Sequence, residues 1–120
     1  MAVRKVLCVD DTAADLVNIE KIVSGANLLV IKGTSGADAI EKAKSEKPDL
    51  IFMDVNMAGM DGFAATRELK KDDSTKAIPV VFVTSKNQKA DKVWAQMQGG
   101  SGFVSKPYTA EQILEQIKAF

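Results

Sequence analysis

The chain has 120 residues, in which 16 Lys and Arg balance 16 Asp and Glu, and this zero formal charge argues against a nucleic-acid or membrane-surface binder that relies on a basic face. Histidine is absent, which excludes serine and cysteine mechanisms with a histidine base and, with a single cysteine, argues against a zinc or copper site. Cys8 has no disulfide partner within the chain, and early charges leave no room for a signal peptide or membrane span, so we expect a cytoplasmic protein.

Apolar runs of strand length alternate with segments of helical period along the whole chain. Five runs predict strands, at residues 3–9, 27–32, 49–53, 79–84 and 102–105. Several of them are almost continuously apolar, which is typical of parallel strands covered on both faces. Apolar residues recur at helical spacing at Leu16, Ile19 and Val23, at Ala90, Val93, Trp94 and Met97, and at Ile113, Leu114 and Ile117.

Helix starts are marked by capping residues. Thr12 with Asp15, Ser35 with Asp38 and Thr109 with Gln112 resemble capping boxes, and Asp61 and Asn87 are candidate N-caps. Trp94 is predicted to be a half-buried packing residue of the fourth helix.

The pattern is a strand followed by a helix, repeated five times, and we expect a single domain, residues 1–120, with no further domain after it. Such units require right-handed crossovers, so we expect an α/β doubly wound three-layer sandwich around a five-stranded parallel sheet. The common strand order for five units is the flavodoxin-like 2-1-3-4-5.

Polar residues follow the predicted strands where ligands collect in such folds. Asp10 and Asp11 end the first strand, Asp54 ends the third, Thr84 ends the fourth and Lys106 follows the fifth. Because the carboxyl ends of parallel strands share one edge, these side chains should meet in one crevice. Their excess negative charge indicates a divalent cation that prefers oxygen ligands, and Mg²⁺ fits this description.

A carboxylate beside a metal and a lysine can act as a nucleophile toward phosphorus. Asp54 is the favoured acceptor, because the loop "NMAGMDG" behind it, residues 56–62, leaves room for a phosphoryl group.

Four stretches together resemble the receiver domain of two-component response regulators. They are "VDD" (9–11), "DLIFMDVNMAGMDG" (49–62), "PVVFVTS" (79–85) and "FVSKP" (103–107), and the resemblance covers the whole chain. It implies that Asp10, Asp11 and Asp54, with the main-chain carbonyl of Asn56, hold Mg²⁺. Ala58 departs from the family pattern, which usually has proline there.

The same resemblance implies that Asp54 accepts phosphate from the phosphohistidine of a histidine kinase. Thr84 would then hydrogen-bond the phosphoryl group, and Lys106, before a proline that the family usually holds in cis, would pair with it. Phe103 matches the aromatic switch position. Signalling would pass to a downstream protein through the face formed by helix 4, strand 5 and helix 5.

A narrower resemblance lies in residues 85–100, where the spacing of Lys86, Asp91, Trp94, Gln98 and Gly99 is similar to the PilH-type regulators of twitching motility. It implies a chemotaxis-type kinase as donor and control of type IV pilus retraction or taxis as output.

The resulting hypothesis is a stand-alone response regulator, a monomer or weak dimer that switches rather than converting a substrate. Its alternative is a degenerate receiver that serves as a phosphate-independent binding module or a phosphate sink. A flavin carrier is disfavoured because "DDTAAD" is acidic where an anion would bind. A dehalogenase-type phosphatase separates its two acids by one residue, and the GTPase phosphate-loop motif is absent.

Overall fold

The computed structural model describes residues 2–85 and 88–120. Its strands are β1 (Lys5–Val9), β2 (Leu29–Gly33), β3 (Leu50–Met53), β4 (Val80–Thr84) and β5 (Gly102–Ser105). Its helices are α1 (Ala13–Gly25), α2 (Gly36–Glu46), α3 (Gly62–Lys71), α4 (Lys89–Met97) and α5 (Ala110–Lys118). The alternation confirms the predicted succession of strand and helix, and the strand bounds differ from those predicted by at most two residues.

The five strands form one parallel sheet in the order β2-β1-β3-β4-β5. This confirms the predicted order. The central β1 pairs with β2 on one side and with β3 on the other, so the chain reverses direction across the sheet at β1. Its end therefore lies at the switch point where such folds collect ligands.

Two apolar clusters cover the two faces of the sheet, because successive strand residues point to opposite sides. On one face Leu7 and Val9 of β1 pack with α2 and α3 residues such as Phe63. On the other face Val6 and Cys8 of β1 pack beneath α1 and α5. The result is the predicted three-layer sandwich.

Three predicted N-caps are confirmed, although the box predicted at Ser35 is not reciprocal, because the Asp38 carboxylate accepts from the Thr34 N–H. Ser35 Oγ accepts the Asp38 N–H at 3.0 Å, Asp61 Oδ1 accepts the Ala64 N–H at 2.8 Å, and Thr109 forms a reciprocal box with Gln112. Asn87 lies outside the described residues.

The capping box predicted at α1 is wrong. The Thr12 side chain makes no capping hydrogen bond to the described residues, and Asp15 does not reach back to it. The Thr12 N–H instead donates to Asp10 Oδ1 at 2.9 Å, while the Asp15 carboxylate bonds to Lys106. Asp15 therefore pairs with the cation that follows β5, Lys106, and not with the local cap.

The apolar stripe of α4 faces outward. Val93, Trp94 and Met97 are 48%, 47% and 69% exposed, and the buried apolar residue of this helix is Ala95. The predicted half-burial of Trp94 agrees with its exposed fraction, but its two apolar neighbours are also open to water. Within residues 2–85 and 88–120, no helix is long and apolar enough to cross a membrane.

Candidate functional site: an acidic crevice at the strand ends

The carboxyl ends of four strands place the predicted polar residues at one edge of the sheet. The parallel ladder continues one residue past the strands, because the Asp10 N–H donates to Gly33 O at 3.1 Å and the Asp54 N–H donates to Val9 O at 3.0 Å. The Lys106 N–H donates to Thr84 O at 2.9 Å. Main-chain pairing thus fixes the position from which each side chain enters the crevice.

Three carboxylates converge as the sequence predicts. Asp10, Asp11 and Asp54 each contribute an oxygen, and these oxygens all lie within 4.8 Å of one another. Asp10 and Asp54 are buried, whereas Asp11 is exposed at the rim. Hard carboxylate oxygens, one of them open to water, form the kind of donor set that suits Mg²⁺, which keeps several waters and takes few protein ligands.

The ammonium group of Lys106 sits among these acids. Its Nζ lies 2.9 Å from Asp10 Oδ2, 3.0 Å from Asp15 Oδ2 and 3.7 Å from Asp54 Oδ1. The contacts with Asp10 and Asp15 are hydrogen bonds, whereas the contact with Asp54 is an ion pair that is too long for a hydrogen bond. Asp15, for which the sequence pattern predicts only a capping role, is therefore also a residue of the site.

Burial and charge perturb the two groups at the centre of the site. Burial and the neighbouring charge of Asp10 raise the pKa of Asp54 to about 6, against opposing contributions from Lys106 and from the Val55 and Asn56 main-chain N–H groups. Burial lowers the pKa of Lys106, but hydrogen bonds to Asp10 and Asp15 and the Asp54 charge outweigh it and leave that pKa raised. Lys106 is therefore a permanent cation.

Close backbone packing sets the position of Asp54. The Gly62 N–H donates to Val55 O at 3.0 Å, and a Cβ at Gly62 would collide with the Asp54 carbonyl oxygen. Only glycine fits at this first residue of α3. The glycine in "DG" is therefore a structural part of the site.

The loop after β3 is tied to the crevice through its backbone. The Ala58 N–H donates to Asp11 Oδ2 at 3.2 Å. Proline, which is usual at this position in the resembling family, has no N–H to give. The departure from the family pattern therefore adds a contact between the loop and an acid of the site.

The remaining predicted residues lie at different distances from the crevice. Thr84 is fully buried at the end of β4, and Lys106 and Pro107 are joined by a cis peptide bond. Asn56 is exposed two residues after Asp54. Phe103 lies two residues before the carboxyl end of β5, opposite Phe82, and packs against the α2–α3 side of the sheet.

Phe103 also borders a cavity between α4 and β5. The cavity has a volume of about 300 Å³, and its lining includes Lys92, Val93 and Gln96 of α4. Lys92 Nζ lies 6.0 Å from the centre of the Phe103 ring. The ring therefore stands between the sheet and the exposed side of α4. Lys86 falls outside the described residues.

Comparison with known proteins agrees with this geometry. The family described as the response regulator receiver domain matches residues 6–118. The chain belongs to this family. Receiver domains typically bind Mg²⁺ in an acidic pocket and interact with histidine kinases and downstream targets, and this chain has the corresponding group of acids.

Individual relatives and solved structures are similar to this chain over nearly its whole length. Protein PilH of Pseudomonas aeruginosa is 40% identical over 115 residues, which are 96% of this chain and 95% of PilH. The response regulator PleD of Caulobacter vibrioides is 32% identical over 96% of this chain but only 25% of its own length. The structure of the Vibrio cholerae chemotaxis protein CheY4 superposes with a TM-score of 0.92 at 27% identity, covering 98% of each chain.

Proposed function

We propose that this receiver domain is a phospho-accepting switch in which Asp54 takes a phosphoryl group from a histidine kinase. The observation that carries the proposal is the meeting of Asp10, Asp11 and Asp54 within 4.8 Å, with Lys106 Nζ 3.7 Å from Asp54. A phosphate acceptor needs a nucleophilic oxygen, positive charge for the transferred group and access from outside. The crevice combines a carboxylate with the charge of Lys106, and the exposed Asp11 lies at its rim.

The transfer is a substitution at phosphorus. An Asp54 carboxylate oxygen attacks the phosphorus atom, the bond to the donor nitrogen breaks, and the nitrogen leaves with the electron pair. Lys106, whose Nζ lies 3.7 Å from Asp54 Oδ1, would pair with the oxygens of the transferred group, and Thr84 would hydrogen-bond one of them. Mg²⁺, held by Asp10, Asp11, Asp54 and the Asn56 carbonyl, would supply further stabilisation of charge.

Phosphorylation would act as a switch because it replaces one carboxylate charge with a larger group carrying more charge and more acceptors. Thr84 ends β4 and Lys106 directly follows the neighbouring strand β5, so movement toward the phosphoryl group would bias that side of the sheet. Phe103 on β5 would relay the change to α4. In this scheme the chain signals and does not turn over a substrate.

The output would pass through the face formed by α4, β5 and α5. Its support is the exposed stripe of Val93, Trp94 and Met97 beside the cavity that Phe103 borders. Exposed apolar patches of this kind mark protein contacts. The chain's 40% identity to PilH supports a role in type IV pilus or chemosensory control, with a chemotaxis-type kinase as the phosphate donor.

The test is the intact mass after incubation with Mg²⁺ and phosphoramidate. We expect one added phosphoryl group in the wild type, and none after Asp54→Asn or in excess EDTA. Asp49→Asn is the matched control, because Asp49 precedes the same strand at its opposite end and should leave phosphorylation intact. Incorporation that persists in Asp54→Asn would contradict the acceptor assignment, and no incorporation in the wild type would favour the phosphate-independent binding module.

A further inference from the structure

The first turn of α1 differs from the first turns of three other helices. In α2, α4 and α5 the side chain at the third helical position folds back to a main-chain N–H at the helix start. These bonds run from Thr34 N to Asp38 Oδ2, from Gln88 N to Asp91 Oδ2 and from Thr109 N to Gln112 Oε1. In α1 the equivalent residue, Asp15, instead reaches Lys106 Nζ at 3.0 Å.

Asp15 thus makes no local capping bond and instead contacts Lys106, which is 91 residues away along the chain. Lys106 has three N–H donors, of which one goes to Asp10 and one to Asp15. Its distance to Asp54 Oδ1 stays at 3.7 Å, longer than a hydrogen bond. The ammonium group is therefore held on the α1 side of the crevice.

We propose that Asp15 is a positioning residue that draws the Lys106 ammonium group toward α1 and away from Asp54, and thereby opposes the phosphorylated form. This inference rests on the proposed function. Asp15 is outside the group of three clustered acids, so its carboxylate stays available to Lys106 when those acids are engaged. A phosphoryl group on Asp54 must compete with it for the ammonium group.

The surroundings allow Lys106 to move between these partners. Lys106 borders a cavity of about 340 Å³ that is also lined by Asp15, Asn18, Ser85 and Tyr108. The Asp15 side chain is 45% exposed, whereas that of Lys106 is 19% exposed. Because solvent weakens the pair, the expected effect is a few-fold bias rather than a block.

The test uses calorimetry in saturating Mg²⁺ to compare the wild type and its variants in their affinity for beryllofluoride, an analogue of the phosphoryl group. We expect Asp15→Asn to bind about threefold more tightly than the wild type. Asp15→Glu keeps the charge and should stay near the wild-type affinity. Asp38→Asn makes the same change at the third position of α2, where the carboxylate bonds to Thr34 and Lys42, and should also leave the affinity unchanged.

A second measurement asks whether the effect runs through Lys106. In metal-free protein, the unfolding equilibrium constants of Asp15→Asn, Lys106→Met and the double variant should depart from additivity by about threefold. Unchanged or weaker beryllofluoride binding by Asp15→Asn, an equal gain in Asp38→Asn, or additive unfolding effects would each overturn the inference while leaving the proposed function intact. Failure of the wild type to bind Mg²⁺ and beryllofluoride would overturn the proposed function, and this inference with it.

Discussion

Helices α4 and α5 have the same length and similar sequence patterns, but the structure treats them in opposite ways. Each has nine residues and an apolar stripe at helical spacing. In α5 the stripe turns inward and Ile113 is fully buried, whereas in α4 Met97 is 69% exposed. A helical period therefore reports that an apolar face exists, and the neighbouring elements decide whether anything in the same chain covers it.

The cause lies in what stands opposite each helix. Helix α5 shares its side of the sheet with α1, and the two close over a common cluster that includes Cys8 and Val104. Helix α4 lies against β5 through the small residue Ala95, which packs with the cluster on the other side. Its larger apolar residues, Val93, Trp94 and Met97, stay exposed to solvent.

The largest expected difference is in how fast a thiol reacts beneath α1 and α5 and on the exposed face of α4. Cys8 is fully buried in β1 beneath α1 and α5, and burial, with the charge of Glu20, raises its pKa to about 12. At pH 8 only about one molecule in ten thousand would carry a thiolate there. We expect Ellman's reagent to modify an exposed thiol introduced by Met97→Cys at least a thousandfold faster than Cys8.

The rate of thiol modification should depend on pH differently at the two positions. A raised thiol pKa means that reactivity appears only as the pH rises toward 12, so Cys8 should stay unreactive between pH 7 and pH 9. The introduced thiol should react faster across that interval as it ionises. Comparable rates for both thiols in folded protein would show that the α1–α5 side is not sealed.

The next largest effect is on stability. Ile113→Ala removes a fully buried side chain and should lower the free energy of unfolding by about 3 kcal/mol through lost burial and a residual cavity. Met97→Ala removes a side chain of similar size from the exposed face of α4 and should change it by less than about 0.5 kcal/mol. Urea denaturation of both variants measures the contrast, and equal losses would mean that the Met97 side chain packs within the fold.

Much of the fold follows from short-range pattern. The nearly unbroken apolar runs predict buried parallel strands, and these fix which residues end the strands at the crevice. That is why Asp10, Asp54 and Lys106 could be brought together from sequence, although they are far apart along the chain.

Two features could not be obtained in this way. Asp15 has a local partner in sequence, Thr12, and a better one in space, Lys106, and only the folded sheet brings the second within 3.0 Å. The outward direction of Met97 depends on how α4 docks beside β5, which no period encodes. The sequence signal for Asp15 is its position about one helical turn after Asp10 and Asp11, close to the crevice that Lys106 is predicted to enter.

The smallest expected effect comes from removing the side-chain hydrogen bond that joins α3 to the end of α4. Arg67 Nη1 of α3 donates to Gln98 Oε1 at 2.6 Å, just past the end of α4, and Gln98 is buried. The next residue, Gly99, has φ +95°, and a Cβ there would press on the Lys70 side chain, so this junction admits little adjustment. Arg67→Ala leaves the Gln98 amide oxygen without this donor and should lower the free energy of unfolding by about 1 kcal/mol.

The same variant should loosen α4 more than the helices that bury their stripes. Hydrogen exchange should quicken at the amides of α4 while those of α1 change only with the global stability, because α1 is held by its own buried residues Leu16, Ile19 and Val23. Glu68→Ala is the matched control on α3, since Glu68 pairs with Lys71 on its own helix. If α1 and α4 lost protection equally in Arg67→Ala, the two helices would belong to one cooperative unit. The polar junction would then not be what holds α4, because a local anchor predicts a local loss.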